Sequence, residues 1–470
     1  MGVMGCLAID LKGVTFKYKN ADEPSVCDVS LEVSAGECVV LTGASGCGKT
    51  TLTRIVNGLA YDFYEGDLSG SARVCGRDVT EMPSWERARV VGSVFQNPRT
   101  QFFNLDTTGE VVFGMENLGV SHDDMHSRYD RVVEELGIRG LMDRGIFQLS
   151  GGQKQAVAFA SAWANTPAAY VLDEPSSNLD IPSMRRLASF VAKAKKEGAA
   201  VLVAEHRLFW LADVADRFVC IRDGRVAGSW SADEFARLGA DFRERLGMRS
   251  LEQPSCAHLD KASTASASCA CEVRGLSAGY GGGLALDQVN FSFDKGEVVG
   301  IVGENGRGKS TLLRCICGLH REVSGQVLFE NSPVDAKRRP EKAFLVMQDV
   351  DYQLFRTSVM AELAAAARRG NRELEEARAL LEELGLERFS DRHPASLSGG
   401  QKQRVVCAMA ALSPCDVVLL DEPTSGLDFV NMVRLASLVR RFASEGRAVV
   451  VVSHDAEFLS RACDRVVRFE

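Results

Sequence analysis

Gly43-Ala-Ser-Gly-Cys-Gly-Lys49-Thr50 recurs as Gly303-Glu-Asn-Gly-Arg-Gly-Lys309-Ser310. Each copy follows a short apolar run, Cys38-Val-Val-Leu-Thr-Gly43 or Val298-Val-Gly-Ile-Val-Gly303. Each precedes a stretch of helical character, Thr51–Ala60 or Thr311–Leu319. Glycines at these positions let backbone N–H groups wrap an anion, the lysine adds a point charge, and the following hydroxyl helps hold a divalent cation. Two copies, both between a strand and a helix, exclude a chance glycine-rich turn.

The repeat extends well beyond the loop. Leu149-Ser-Gly-Gly-Gln153 returns as Leu397-Ser-Gly-Gly-Gln401, and Ala169-Tyr-Val-Leu-Asp-Glu174 as Val417-Val-Leu-Leu-Asp-Glu422. Lys49 and Lys309 lie 260 residues apart, Gln96 and Gln348 lie 252, and Ser150 and Ser398 lie 248. From there the offset is constant, with Glu174/Glu422 and His206/His454 also 248 apart. Loop shortening with preserved motif spacing is the trace of a duplicated folded unit.

Bulk properties set the frame. A 470-residue chain, 46% hydrophobic and 25% charged, is long enough for two or three domains with cores of their own. A net charge of −8 disfavours non-specific binding to nucleic acid, and no nucleic-acid partner is expected. No apolar run reaches eighteen residues and the first residues lack a secretory pattern, so the chain reads as soluble, any membrane role passing through a partner. The 14 cysteines are scattered among apolar segments, as in a reducing cytosol, and the pairs Cys269/Cys271 and Cys315/Cys317 lack further metal ligands nearby.

The domain reading is 1–248, a small, polar, Ser/Ala-rich linker at 249–271, and 272–470. Ala232–Leu246 reads as a helical tail of the first half. Each half opens with a β-rich stretch, passes through the glycine loop and its helix, and enters a mainly helical insert at 108–147 or 358–396. It then alternates strands such as Ala200–Ala204 and Ala448–Val452 with helices, which implies a parallel α/β core. Asp173 and Asp421 end buried strands where a carboxylate suits Mg²⁺; Glu174 and Glu422 are placed to polarise an attacking water. Ser150-Gly151-Gly152 and Ser398-Gly399-Gly400, at helix N-termini, read as an anion site with two exposed glycines.

With these motifs in order, the sequence resembles an ABC-type ATPase with two nucleotide-binding domains in one polypeptide. The resemblance covers nearly the whole chain. It implies an α/β fold of two tandem P-loop domains, each with a β-rich ATP-binding core and a helical subdomain, using ATP and Mg²⁺. Gly43, Ser45, Gly46, Gly48, Lys49, Thr50 and Thr51 would cradle one nucleotide; Gly303, Asn305, Gly306, Gly308, Lys309, Ser310 and Thr311 the other. Tyr18 and Tyr280 match the aromatic that stacks on adenine. Gln96 and Gln348 match the Q-loop glutamine that contacts Mg²⁺, with Thr50, Ser310, Asp173 and Asp421 as the other metal positions. His206 and His454 match the histidine that touches the γ-phosphate. The family's signature, here Ser150–Gln153 and Ser398–Gln401, closes over the nucleotide of the opposite domain. The halves are therefore expected to pair within the chain.

Three members of the class resemble the chain to different degrees. Phe95-Gln-Asn-Pro-Arg-Thr-Gln-Phe-Phe103 followed by Val111–Asn117 resembles the ATPases of energy-coupling-factor importers for vitamins or metal ions. This implies an integral-membrane scaffold and a small membrane substrate-binding subunit as partners, and a place at the cytoplasmic face of the cell membrane. The second half repeats it in part, Met347-Gln-Asp-Val-Asp-Tyr-Gln-Leu-Phe355. A fused sugar-importer ATPase is disfavoured because both sets of motifs are intact. A soluble twin-ABC ATPase acting on ribosomes or DNA is disfavoured by the short small-residue linker and acidic balance. The cargo is not encoded in these motifs.

Overall fold

Cys38–Thr42, Ala169–Asp173 and Ala200–Ala204 are apolar without alternation, which suits strands covered on both faces. In the computed structural model, which describes residues 7–19, 21–177, 179–259, 269–281 and 283–469, they lie together at the centre of a six-stranded sheet. Its order is Arg225–Ser231, Arg217–Arg222, Cys38–Thr42, Ala200–Ala204, Ala169–Asp173, Val91–Val94. Only the first two strands pair antiparallel. The second half repeats the core as Ala343–Val346, Val417–Asp421, Ala448–Val452, Val298–Val302, Arg465–Arg468, all parallel.

A strand covered on both faces sends alternate side chains into different cores. Cys38 and Val40 join the core under the helix Gly151–Ala164, whereas Val39 and Leu41 join the core shared with the antiparallel sheet Val26–Ser34, Leu7–Tyr18, Gly66–Val74, Arg77–Asp78. The second half has its own antiparallel sheet, Gly283–Asp294, Cys269–Tyr280, Ser324–Phe329, Ser332–Pro333. The inserts contain the helices Thr107–Asn117 and His122–Glu135, and Val359–Gly370 and Leu374–Glu383. Among the described residues no helix is long and apolar enough to cross a membrane.

The chain divides into two compact units at Gln253/Pro254, inside the expected 249–271 linker. Arg249 is buried and Arg185 donates to Gln253 Oε1 at 3.2 Å, so the start of that segment belongs to the first unit. Cys269 and Cys271 already lie in the first strand of the second.

Local chemistry corrects two expected helices. The run Thr51–Ala60 is broken into Lys49–Val56 and Leu59–Asp62 because Gly58 is left-handed (φ 85°) and a Cβ there would lie 2.2 Å from Arg87 Nε. The tail 232–246 is two short helices, Ala232–Arg237 and Ala240–Arg245. After the last core strand, Asp455 caps the helix Ala456–Ala462 by accepting from Phe458 N at 3.2 Å. Arg207 occupies the matching place in the first half, no such cap forms, and only the 3₁₀ turn Phe209–Leu211 follows.

Candidate functional site

The glycine loops sit at the carboxyl ends of the central strands. Gly43 (φ 136°) passes so close to Ile221 that a Cβ would lie 2.1 Å from its carbonyl oxygen, and Gly48 (φ 110°) is equally hemmed by Ser25 O at 2.5 Å. A Cβ at Gly46 or Gly306 would meet nothing within 4 Å. One side of each loop is thus locked to the protein and the other is open. Gly303 and Gly308 repeat the close approaches, to Phe469 O at 2.3 Å and Ala285 O at 2.5 Å.

Lys49 curls back onto its loop, Nζ donating to Gly43 O and Ala44 O at 3.0 Å. Lys309 does the same to Gly303 O and to Glu304 O at 2.7 Å, with Nζ 3.5 Å from His454 Nε2. Thr50 Oγ1 donates to Asp173 Oδ1 at 3.0 Å and Ser310 Oγ to Asp421 Oδ1 at 3.1 Å. Burial, reinforced by Glu174, pushes the Asp173 carboxyl up to about 7 against the Thr50 hydrogen bond. Burial lifts Asp421 to about 6, the Ser310 bond opposing and Glu422 reinforcing. A hydroxyl and a carboxylate held together beside a second acid form an oxygen-only donor set, which fits Mg²⁺.

Glu174 and Glu422 follow these strands in the left-handed region, at φ 44° and 49°. A non-glycine residue persists there only where its surroundings over-determine it. Their N–H groups bond Ala204 O at 2.8 Å and Val452 O at 2.9 Å, which fixes both turns. Gln96 Nε2 donates to Glu174 Oε2 at 2.8 Å, and His206 Nε2 lies 3.2 Å from Glu174 Oε1. In the second half His454 Nε2 meets Asn305 Oδ1 at 3.0 Å and stands 3.5 Å from Glu422 Oε1. Gln348 is exposed beyond the strand Ala343–Val346. Ser45 is exposed at the open side of its loop.

The tyrosines differ between halves. Tyr18 Oη is 3.2 Å from both Thr51 Oγ1 and Arg54 Nη1, and its ring meets Tyr64 edge-on. Tyr280 is 52% exposed and packs on His320 with ring centroids 4.5 Å apart. Thr311 is buried in its helix.

The signature segments correct one expectation. Only the first glycine of each pair, Gly151 or Gly399, is exposed. A Cβ at Gly152 would lie 2.2 Å from Ser183 Oγ, and one at Gly400 2.9 Å from Leu427 Cδ2, so the second glycine is there for packing. Gln153 and Gln401 complete capping boxes with Ser150 and Ser398, their side-chain oxygens accepting from the serine N–H groups at 2.9 Å.

Several supports escaped the sequence reading. Glu110 Oε2 accepts from Phe103 N and Asn104 N at 2.9 Å, and Glu362 accepts from Phe355 N and Arg356 N, which fixes the backbone beyond each Q-loop. Glu205 Oε1 accepts from His206 N at 2.7 Å and Arg207 N at 3.1 Å, a clamp that Ser453 only partly reproduces through Asp455 N. The first-half Q-loop also borders a groove of about 330 Å³ walled by Phe63, Phe95, Phe103 and Phe113, with Asp62 and Arg87 among its lining.

Two loops of this geometry, each with its own lysine, hydroxyl, carboxylate pair and histidine, define a tandem P-loop nucleotide-binding protein. The ABC transporter family profile matches residues 26–177 and 286–425, and the chain belongs to that family. It is an ABC ATPase with two fused domains. It is 42% identical over 466 residues to a Treponema denticola protein provisionally described as an ABC transporter ATP-binding protein, covering 98% of this chain and 94% of that one. It is 32% identical to a Bacillus subtilis protein provisionally described as an HMP/thiamine import ATP-binding protein, YkoD, covering 98% and 89%. The fold is similar to that of the solved RNase-L Inhibitor, with TM-score 0.64 and 22% identity over 97% of this chain and 87% of that one.

Proposed function

We propose that this chain is the ATP-hydrolysing subunit of a membrane importer of the energy-coupling-factor type, working at the cytoplasmic face of the membrane through a scaffold subunit and a small substrate-binding subunit. The aromatic groove beside the Q-loop carries this reading. Phe63 and Phe103 are 74% and 75% exposed on its walls, a large apolar surface for a protein face with no partner. The likeness to proteins described as transport ATPases supports it. The likeness to RNase-L Inhibitor, at 22% identity, bears on fold alone.

In this proposal Lys49 and Lys309 hold the phosphates of two ATP molecules. Thr50, Asp173 and Gln96 in one half, and Ser310, Asp421 and Gln348 in the other, would hold Mg²⁺, which when bound would neutralise the developing phosphate charge. Glu174 and Glu422 take a proton from the attacking water, and His206 and His454 contact the γ-phosphate. Each site is completed by the signature of the other half, Ser398–Gly400 for Lys49 and Ser150–Gly152 for Lys309. Closure on ATP and reopening after hydrolysis pass through the Q-loops to the scaffold.

The test is purification of the tagged protein from gently solubilised membranes, beside a Phe103→Glu variant. Co-purification of a helical membrane protein and a small apolar one, both lost in the variant while ATP turnover persists, is expected. Recovery with ribosomal material, or alone, would sink the proposal.

A further inference from the structure

One arginine in the second half joins three segments that the first half does not join in this way. Arg404 stands in the helix Gly399–Leu412 and is 4% exposed. Its Nε donates to Gly400 O at 3.3 Å, the carbonyl of the second signature glycine. Its Nη1 donates to Leu384 O at 2.6 Å, at the end of an insert helix, and to Asn431 Oδ1. Asn431 in turn donates to Asp428 through its amide at 2.8 Å and its backbone N–H at 2.7 Å. Asp428 closes the segment Thr424-Ser-Gly-Leu-Asp428 and caps the helix Phe429–Ser444. The planar guanidinium, with donors in a fixed fork, suits such a junction. Burial presses it down to about 10, with Asp428 opposing, so it stays charged at neutral pH. A second tie runs from Lys402 Nζ to Asp351 Oδ1 at 2.7 Å, in the turn Val350–Gln353 after the Q-loop glutamine.

At the same offsets the first half has Ala156 for Arg404, Ser183 for Asn431 and Arg99 for Asp351. Lys154, the counterpart of Lys402, donates to Leu149 O at 2.8 Å. Burial, and then the like charge of Arg99, lower its pKa rather than hold it to the Q-loop turn. The second-half signature is therefore braced to the insert, the Q-loop turn and the Asp428 segment. In the first half the corresponding arginine and acid are replaced, and Gly152 packs on Ser183.

We propose that Arg404 is a positioning residue that fixes Ser398–Gly400 for the nucleotide they close over, making one ATP site a tighter clamp than the other. The inference rests on the cross-half pairing proposed above, by which that site is the one of Lys49 and Glu174. Pre-organisation lowers the ordering cost of closure, so this site should hold ATP longer.

The experiment uses the full chain with Glu174→Gln and Glu422→Gln, loaded with 8-azido-ATP and Mg²⁺, washed and photolabelled. Proteolysis then assigns retained label to the first or the second half. Both halves should carry label, and adding Arg404→Ala should cut that of the first half about tenfold while sparing the second, the scale expected for losing hydrogen bonds from a buried charged group. Label surviving on the second half shows that the protein has folded and bound nucleotide. Asn431→Ser, which installs the first-half residue, is the milder variant and should lower the same label in part. Label kept on both halves, or lost equally from both, overturns the proposal. Loss confined to the second half overturns the assignment to Lys49 and shows instead that each signature serves its own half, refuting the cross-half pairing separately.

Discussion

Asp421→Asn should stabilise the nucleotide-free protein while abolishing hydrolysis at the second site, and the gain should grow with pH. The Asp421 carboxyl is 3% exposed, and burial lifts its pKa from 3.8 to about 6. A raised carboxylate pKa means that the folded state binds the proton more tightly than the unfolded one. Ionisation therefore costs stability as pH rises from about 4 to about 6, and the cost is full above that range. Two pH units at about 1.4 kcal/mol each give about 3 kcal/mol near pH 8, falling to about 0.5 kcal/mol near pH 4. For a unit of about 200 residues this is a rise of roughly 6–12 °C in the second-half transition near pH 8, and about 1–2 °C near pH 4. Scanning calorimetry without Mg²⁺ or nucleotide reads both shifts. Adding MgATP should reverse the order, because the wild-type carboxylate gains a cation that asparagine binds poorly. Equal shifts at both pH values, or a loss near pH 8, would refute the claim that the fold holds this acid against its ionisation.

Glu174→Gln combined with Glu422→Gln should retain ATP and lower turnover about 10²–10⁴-fold, the usual worth of a general base; near-normal steady-state hydrolysis would remove both residues from that role. Arg87→Met should destabilise the first half by about 2–3 kcal/mol in urea, because it strips partners from Val79 O, Met82 O and the partly exposed Asp62. Adding Asp62→Leu should recover part of the loss, and a neutral single variant would contradict the buried pair. Asp455→Ala should lower the protection of the Phe458 amide by about 1 kcal/mol in hydrogen exchange, since that amide loses its cap acceptor; unchanged exchange would show that packing alone holds the helix.

The groups that gather beside the glycine loops were legible in the sequence because a phosphate site would dictate both their type and their spacing. Lys49 and Thr50 open one helix, Asp173 and Glu174 stand at the end of one strand and His206 just beyond another, each beside an apolar run that the hydrophobic pattern marks. The parallel core was legible for the same reason, since uninterrupted apolar runs such as Ala448–Val452 admit few settings. What escaped was chemistry acting on the backbone of other segments. Glu110 and Glu362 look like ordinary helix-surface acids, and nothing in their neighbourhood announces that they turn inward to hold the chain beyond the Q-loop. The break at Gly58 was equally hidden, because it depends on the Arg87 side chain 29 residues away packing against that glycine. Gly152 and Gly400 hid a packing constraint of their own, since Ser183 and Leu427 leave no room for a Cβ there.

Two of the buried arginines, Arg87 and Arg339, show which links the duplication preserved. Arg87 pairs with Asp62 just after the first phosphate-loop helix, and Arg339 with Glu322 just after the second. Between acid and arginine the first half has 87 − 62 = 25 steps and the second 339 − 322 = 17. Eight residues have changed in number, the short helix Leu59–Asp62 that follows left-handed Gly58 has no counterpart after left-handed Gly318, and the acid has exchanged Asp for Glu. The ion pair persists through all three changes. A buried pair gives little net stability over an apolar replacement, so stability alone does not explain its presence in both halves. Its geometry does offer an explanation. In each half the pair ties the segment just after the phosphate-loop helix to the segment entering the Q-loop strand, Val91–Val94 or Ala343–Val346, and in the first half it also lines the aromatic groove.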